Sequence, residues 1–226
     1  MASLGDTYIG SGVELRCTDC MDYMRSLPDK SFDVAIVDPP YGIHVSKRDL
    51  GGLSSKIYMG SWDDSIPDGS YFSELFRVSR HQIIWGANYF TSYLPGIMSW
   101  VVWDKSIPDS LSFGQGELAW TSFGGPLKIA RIPYRGSVGA DEVRIHPTQK
   151  PVKLYEWLLS RYVKPGMRVL DTHMGSGSSA IACLHAGLSF VGCELDPIHY
   201  EDAKNRFTFH SRQQRLFCHS RQQRLL

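Results

Sequence analysis

The chain has 226 residues, with 24 Lys and Arg against 23 Asp and Glu, for a net charge of +1. That length suits one catalytic domain that buries most of its apolar surface without staples, and the near-neutral total excludes a polyanion binder that works by bulk charge. No window approaches the ~18 consecutive apolar residues of a membrane span, and the N-terminal MASLGDTYIG has neither a basic nor an apolar leader region; with five cysteines, an odd number, this makes a cytoplasmic protein the expectation.

In chain order, VELRC is the first apolar run of strand length and a short helix is expected over 20–26. Cys17 and Cys20 form an isolated CxxC, which without a second ligand pair reads as reduced, partly buried thiols rather than a zinc site. The strand DVAIV ends in DPPYG, and residues 43–68, rich in Gly, Ser, Asp and Lys, read as a long loop. A helix over 70–79 precedes the strands QIIW and MSWVVW. Residues 113–145, with Gly at five places after Gln115, read as a second long loop or a small insertion. Its Lys128, Arg131, Arg135 and Arg144 make it the best candidate for a phosphate-contacting surface, with a merely solvated face as the competing reading.

Helices over 151–162 and 177–186 then alternate with the strands MRVL and SFVGCE, and a helix over 199–207 follows. Strands alternating with helices predict an α/β domain with a mostly parallel, doubly wound sheet. The catalytic domain is expected over 1–209. Residues 210–226 form a basic tail in which HSRQQRL occurs twice, with six basic residues and no acidic one from Ala203 onward, and this tail is expected to fray.

Between MRVL and the next helix lies DTHMGSGSSA, in which Gly175, Gly177 and Ala180 satisfy the spacing GxGxxG/A. The first glycine permits a tight turn, the second permits close approach of a ligand, and the small third residue lets helix and strand pack. Glu194 ends the following strand nineteen residues after Gly175, where a carboxylate can accept hydrogen bonds from ribose hydroxyls. An adenosine-containing cofactor is implied. A nicotinamide dinucleotide and S-adenosylmethionine fit this pattern equally well.

DPPY narrows the choice. Asp38 sits at the carboxyl end of a buried strand, where open α/β sheets bind ligands. Pro39 and Pro40 cannot continue a central ladder and hold the following backbone in a restricted shape. The Asp38 carboxylate and the Pro39 carbonyl then offer two fixed acceptors, and Tyr41 adds a flat ring beside them. Such a set suits a planar group bearing an exocyclic NH2: accepting both N–H bonds localises the nitrogen lone pair, and the carboxylate stabilises the positive charge that develops as a methyl group arrives.

With DPPY at Asp38 to Tyr41, HPTQKP at His146 to Pro151, the GSGS loop at Gly175 to Ser178 and Glu194 in VGCELDP, the chain resembles the amino-group DNA methyltransferases that use S-adenosylmethionine and carry the catalytic motif ahead of the cofactor motif. GANYF at Gly86 and ELAWTSF at Glu117 look like the short, phage-associated adenine methylases of that group. The resemblance implies a Rossmann-like methyltransferase fold with a short recognition insertion at about 113–145. It implies that Asp38, Pro39, Pro40 and Tyr41 form the target-base site. Gly175, Ser176, Gly177 and Ser178 would line the cofactor's methionine and ribose, Glu194 would take the ribose hydroxyls, and Asp19 and Cys20 would flank its adenine. Lys150 is placed near its methionine end, with a helix-start role as the competing reading. Asp171 opens DTH where many relatives read DPF, and His173 reads as a structural histidine beside the cofactor loop.

The implied activity is methyl transfer to adenine N6 in DNA after base flipping, with a cytosine-N4 or RNA amino-methyltransferase and a catalytically idle DNA-binding protein as alternatives. Trp120, Tyr89 and Phe90 are candidates for a second stacking face, each with a core role as its competing reading. Relatives imply a possible homodimer. QQRLF at 213–217, bounded by Gln213 and Phe217, resembles short peptides that dock on bacterial sliding clamps.

Overall fold

The computed structural model describes residues 2–44, 63–111, 114–134 and 143–222, with side chains through Gln214. Most of residues 43–68, Arg135 and the acidic pair Asp141 and Glu142 therefore lie outside the described residues.

One nine-stranded sheet has the order β1-β2-β9-β8-β3-β4-β6-β5-β7. Its strands are β1 (Thr7–Gly10), β2 (Val13–Cys17), β3 (Phe32–Val37), β4 (Ser79–Trp85), β5 (Trp100–Asp104), β6 (Gly116–Thr121), β7 (Lys128–Arg131), β8 (Arg168–Asp171) and β9 (Ser189–Glu194). The run β2-β9-β8-β3-β4 is parallel, and β1, β6 and β5 add antiparallel pairings at its two sides. The helices are α1 (Cys20–Arg25), α2 (Gly69–Val78), α3 (Val152–Tyr162), α4 (Ser178–Ala186) and α5 (Pro197–Gln222).

The central strands are buried on both faces along Val34–Val37 of β3 and Gln82–Trp85 of β4, because both faces of the sheet are covered there. Alternation along β3 divides the work: Val34 and Ile36 pack with residues of α3, α4 and α5, while Ala35 and Val37 pack with residues of α1 and α2. In α2 the buried positions Tyr71, Phe72, Leu75 and Val78 follow helical spacing, and Asp68 caps the helix by accepting from the Ser70 and Tyr71 N–H groups. The predicted doubly wound α/β class is the one observed.

Three local expectations change. Residues 113–145 do not form one loop, because β6 inserts between β4 and β5 in the sheet and β7 pairs with β5. Gly116 opens β6 and Gly124 and Gly125 lie between β6 and β7, while residues 116–121 satisfy their backbone groups by pairing. Second, β1 forms an antiparallel edge on β2. Third, α5 runs on to Gln222, where a stop near Phe207 and a frayed tail were expected. The clamp-like QQRLF thus has a helical backbone, with its side chains from Arg215 onward outside the described residues.

Among the described residues no helix is long and apolar enough to cross a membrane.

Candidate active site

The strand after β3 in the chain is β4, on one side of it, while β8 feeds β9 on the other side. The crevice between the carboxyl ends of β3 and β8 is therefore the topological switch point of the sheet, the place where such folds bind ligands. Asp38 directly follows β3 and Asp171 ends β8, so the two predicted halves of the site face one another across it.

The DPPY loop is held from below by a residue the sequence did not single out. Asp63, 1% exposed, accepts both the Tyr41 and Gly42 N–H groups on Oδ1, at 2.8 and 2.9 Å. Two backbone donors that Pro39 and Pro40 cannot supply are thereby satisfied one step further on, which fixes the direction of the loop. The Tyr41 ring stacks on Tyr89 with centroids 5.1 Å apart and planes at 15°. Phe90 approaches it edge-on and is fully buried; Trp120 is buried beside Phe76, with its indole N–H on the Pro95 carbonyl. Of the three candidate stacking residues only Tyr89 is substantially exposed, and it is Tyr41 that it covers.

Each Asp38 oxygen already accepts a hydrogen bond: Oδ1 from the Tyr41 hydroxyl, Oδ2 from the Lys150 ammonium at 2.5 Å. Lys150 lies just ahead of α3, whose N-cap is Pro151, and is almost fully buried. Its Nζ also stands 3.0 Å from Glu117 Oε2 and 3.1 Å from the Tyr41 hydroxyl, and Glu117 Oε1 is held by Lys105 at 2.6 Å. The structure thus places Lys150 among the DPPY acceptors.

Two acids and two bases alternate in a row: Asp38, Lys150, Glu117, Lys105. Burial pushes the Asp38 carboxyl up against the opposing pull of Lys150, and the negative charge of Glu117 adds to the rise. Burial also pushes Glu117 up, but Lys150 and Lys105 together outweigh it and hold this carboxyl down at about 2. Lys150 loses from burial and gains more from Asp38 and Glu117, so its pKa lies above the ordinary lysine value and it stays protonated.

On the other side of the crevice, Gly175 and Gly177 have φ of +50° and +73°, and the main chain turns there from β8 into α4. A Cβ on Gly177 would lie 3.3 Å from that of Ala203. Ser176 and Ser178 are buried with their hydroxyls 3.1 Å apart, and Arg206 of α5 donates to the Ser176 carbonyl at 2.8 Å and the Ser178 hydroxyl at 2.9 Å. Arg206 was not anticipated as a partner of this loop. Glu194 accepts from the Gly175 N–H at 2.9 Å and the Asp196 N–H at 3.0 Å, which aims its carboxylate at the glycine turn. Burial pushes its pKa up against these two bonds.

Asp171 accepts from the Ser179 hydroxyl at 2.6 Å and the His173 N–H at 3.0 Å, yet burial raises its pKa to about 7. Asp19 caps α1 through the Met21 N–H at 2.7 Å. The Cys20 sulfur lies 4.0 Å from His173 Nε2, and burial drives this thiol up to about 12, so it is no nucleophile at neutral pH. His173 is brought by burial to about 4 and is neutral, bonded to Thr172, whose hydroxyl meets that of Tyr71. Cys17, Cys183 and Cys193 are free and buried.

A family model described as DNA methylase matches residues 102–205, a span that takes in Glu117, HPTQKP and the glycine loop through Glu194. This match and the relatives below support the amino-group DNA methyltransferase family for this chain. Among the relatives of this chain is the type II methyltransferase M.HpaI of Haemophilus parainfluenzae, 25% identical over 235 residues that cover 85% of this chain and 73% of the relative. The fold is shared with the M1.HpyAVI–SAM complex, at a TM-score of 0.58, 18% identity and coverage of 86% and 99% of the two chains. It is shared equally with the cytosine-N4-specific PvuII DNA methyltransferase, at a TM-score of 0.59, 13% identity and coverage of 93% and 96%.

Glu117, Lys105, Asp63 and Arg206 are the site residues that motif reading passed over. Glu117 carried a signal: it is the single acid in the otherwise apolar start of ELAWTSF. The other three hold backbone or charge from distant parts of the chain and leave no local pattern.

Proposed function

We propose that this methyltransferase acts on DNA and moves a methyl group from S-adenosylmethionine to an exocyclic amino nitrogen, with adenine N6 as its target. The observation that carries the reading is the placement of the Asp38 carboxylate and the Gly175–Ser178 turn on opposite lips of one switch-point crevice. The residues present fit the cofactor: two left-handed glycines leave the turn without side chains, and Glu194 offers a buried carboxylate aimed at it. Gly175, Ser176, Gly177 and Ser178 hold its methionine and ribose, Glu194 its ribose hydroxyls, and Asp19, Cys20 and Asp171 surround the rest. When bound, the cofactor supplies a methyl group activated by its sulfonium charge.

The protein's own residues do the rest. Asp38 and the Pro39 carbonyl accept the two amino N–H bonds, which concentrates the lone pair on nitrogen and aligns it for in-line attack. As the nitrogen gains positive charge, the nearby carboxylate stabilises it in a site poor in water. Asp38 is also the acceptor on hand for the proton that the methylated amine must lose, and burial raises its affinity for that proton. Neither a metal nor a covalent enzyme intermediate enters this scheme. A base inside a duplex cannot reach the crevice, so the target is flipped, at a cost of a few kcal/mol offset by contacts in the pocket.

DPPY with Asp rather than Ser at its first position leans the family resemblance towards adenine N6 over cytosine N4. The deciding experiment incubates the protein with labelled S-adenosylmethionine and unmethylated DNA, then digests the product to nucleosides. N6-methyladenine is expected; N4-methylcytosine would move the target to cytosine, and no incorporation across varied sequences would overturn the reading. Asp38→Ala abolishes turnover while leaving cofactor binding in place.

A further inference from the structure

The acceptor intended for the target amino group is occupied in this structure by a cation of the protein itself. Lys150 Nζ sits 2.5 Å from Asp38 Oδ2, an N–H donor on the very oxygen that the amino group needs. It is equally within reach of a second carboxylate, Glu117 Oε2 at 3.0 Å. Glu117 is not free to follow Lys150 towards Asp38, because it stands on β6 and its other oxygen is tied to Lys105 at the end of β5, 2.6 Å away.

We propose that the Lys150 ammonium is a displaceable stand-in for the target amino group and that Glu117 is the positioning residue that receives it when the base arrives. This rests on the amino-methyltransfer reading above. The physical reason is desolvation. A carboxylate as buried as Asp38 is costly without a donor, and an ammonium as buried as Lys150 is costly without an acceptor, by several kcal/mol for each ion. A site with Lys150 and Asp38 alone would have to strand the ammonium in order to admit the substrate. With Glu117 at hydrogen-bond distance, Lys150 leaves Asp38 without losing its ion pair, and the base's amino group takes over the vacated oxygen. The row remains neutral throughout, and the Asp38 charge becomes available to the nitrogen on which positive charge develops.

The groups that bear on Asp38 come from every element around it: Tyr41 in its own loop, Lys150 ahead of α3, Glu117 on β6 with Lys105 behind it, Asp171 at the end of β8, and the buried phenols Tyr71 of α2 and Tyr155 of α3. Of these, Glu117 raises the Asp38 pKa and Lys150 lowers it. Substituting Glu117 by Gln removes the raising charge and leaves Lys150 to Asp38 alone, and both effects push Asp38 down. The acid limb of the methyl-transfer rate, which follows ionisation of Asp38, therefore moves to lower pH, even as the plateau falls because the stand-in is harder to displace.

The experiment compares wild type, Glu117→Gln and Glu117→Asp in single-turnover methyl transfer across pH, with cofactor affinity as the check on folding. Glu117→Gln is expected to lower the plateau by about tenfold or more and to shift the acid limb downwards, while Glu117→Asp keeps the limb in place. A Glu117→Gln limb that coincides with wild type, whatever its plateau, overturns the proposal, since loss of packing alone lowers a rate without moving its titration. A structure of the wild-type protein with DNA and S-adenosylhomocysteine tests it without any variant: Lys150 on Glu117 and away from Asp38 supports it, and Lys150 still on Asp38 Oδ2 beside a seated base overturns it. Absence of any methyl transfer by wild type would instead defeat the underlying reading, and the inference with it.

Discussion

At Gly86 the backbone has φ of +66°, and a Cβ built there lies 2.0 Å from Cε1 of Tyr41. The single hydrogen of glycine is thus what lets the Tyr41 ring lie between the end of β4 and Tyr89, with its hydroxyl on Asp38. Gly86→Ala suffers both the left-handed backbone, roughly 1–2 kcal/mol, and displacement of the ring. Loss of at least about tenfold in turnover is expected, with cofactor affinity retained; unchanged turnover would show that the ring's position does not matter. Asp171 illustrates the opposite balance, a buried acid held at a cost in stability. Its folded pKa of about 7 lies above the ordinary carboxylate value of 3.8, so its contribution to stability is full below pH 3.8 and is lost as pH climbs through 7. Asp171→Asn, which retains an acceptor for the His173 N–H and a partner for Ser179, is expected to be more stable than wild type at pH 8, by up to a few kcal/mol. The gap should close towards pH 4 in denaturant titrations.

Among the elements, β6 and α5 were misread for instructive reasons. Residues 116–121 sit among glycines and look like loop, but β6 lies between β4 and β5 and carries Glu117 into the site. Helix α5 looked complete at Phe207 because apolar spacing stops there, yet polar contacts carry the helix along the body. The Ser211 hydroxyl lies 3.3 Å from that of Ser11, and Gln214 donates to the Leu184 carbonyl at 3.3 Å. Earlier in the same helix, Arg206 holds the glycine loop by two bonds. Truncation after Thr208 removes the contacts of Ser211 and Gln214 while keeping Arg206, so the melting temperature should fall by a few degrees. Arg206→Ala should instead weaken cofactor affinity several-fold, with a smaller change in melting temperature. Equal effects of both changes on affinity would show that the helix acts on the loop as a whole rather than through Arg206.

Across the whole molecule, the candidate site draws on residues from position 19 to position 206, and the sheet is the frame that brings them together. A ligand that binds only the folded protein stabilises it by mass action, about 2.7 kcal/mol at a hundred times its Kd. S-adenosylmethionine should therefore raise the melting temperature of one cooperative transition, and Asp38→Ala should preserve that shift while abolishing methyl transfer. Loss of the shift in this variant would mean that the two lips of the crevice are not independent in binding.

By itself the sequence determined the alternation of strands and helices, the glycine turn, and the places of Glu194 and DPPY at the carboxyl ends of their strands. Each is written in a short segment whose local physics is self-sufficient: apolar periodicity, backbone freedom at glycine, and its removal at proline. Only the tertiary structure decided that Lys150 bridges Asp38 and Glu117, that Asp63 holds the Tyr41 and Gly42 N–H groups, and that Arg206 holds the glycine loop. A buried charge is tolerable only beside its partner, and for these four residues the partner lies between 12 positions away, from Glu117 to Lys105, and 112, from Lys150 to Asp38, which makes the pairing a property of sheet order rather than of any local pattern.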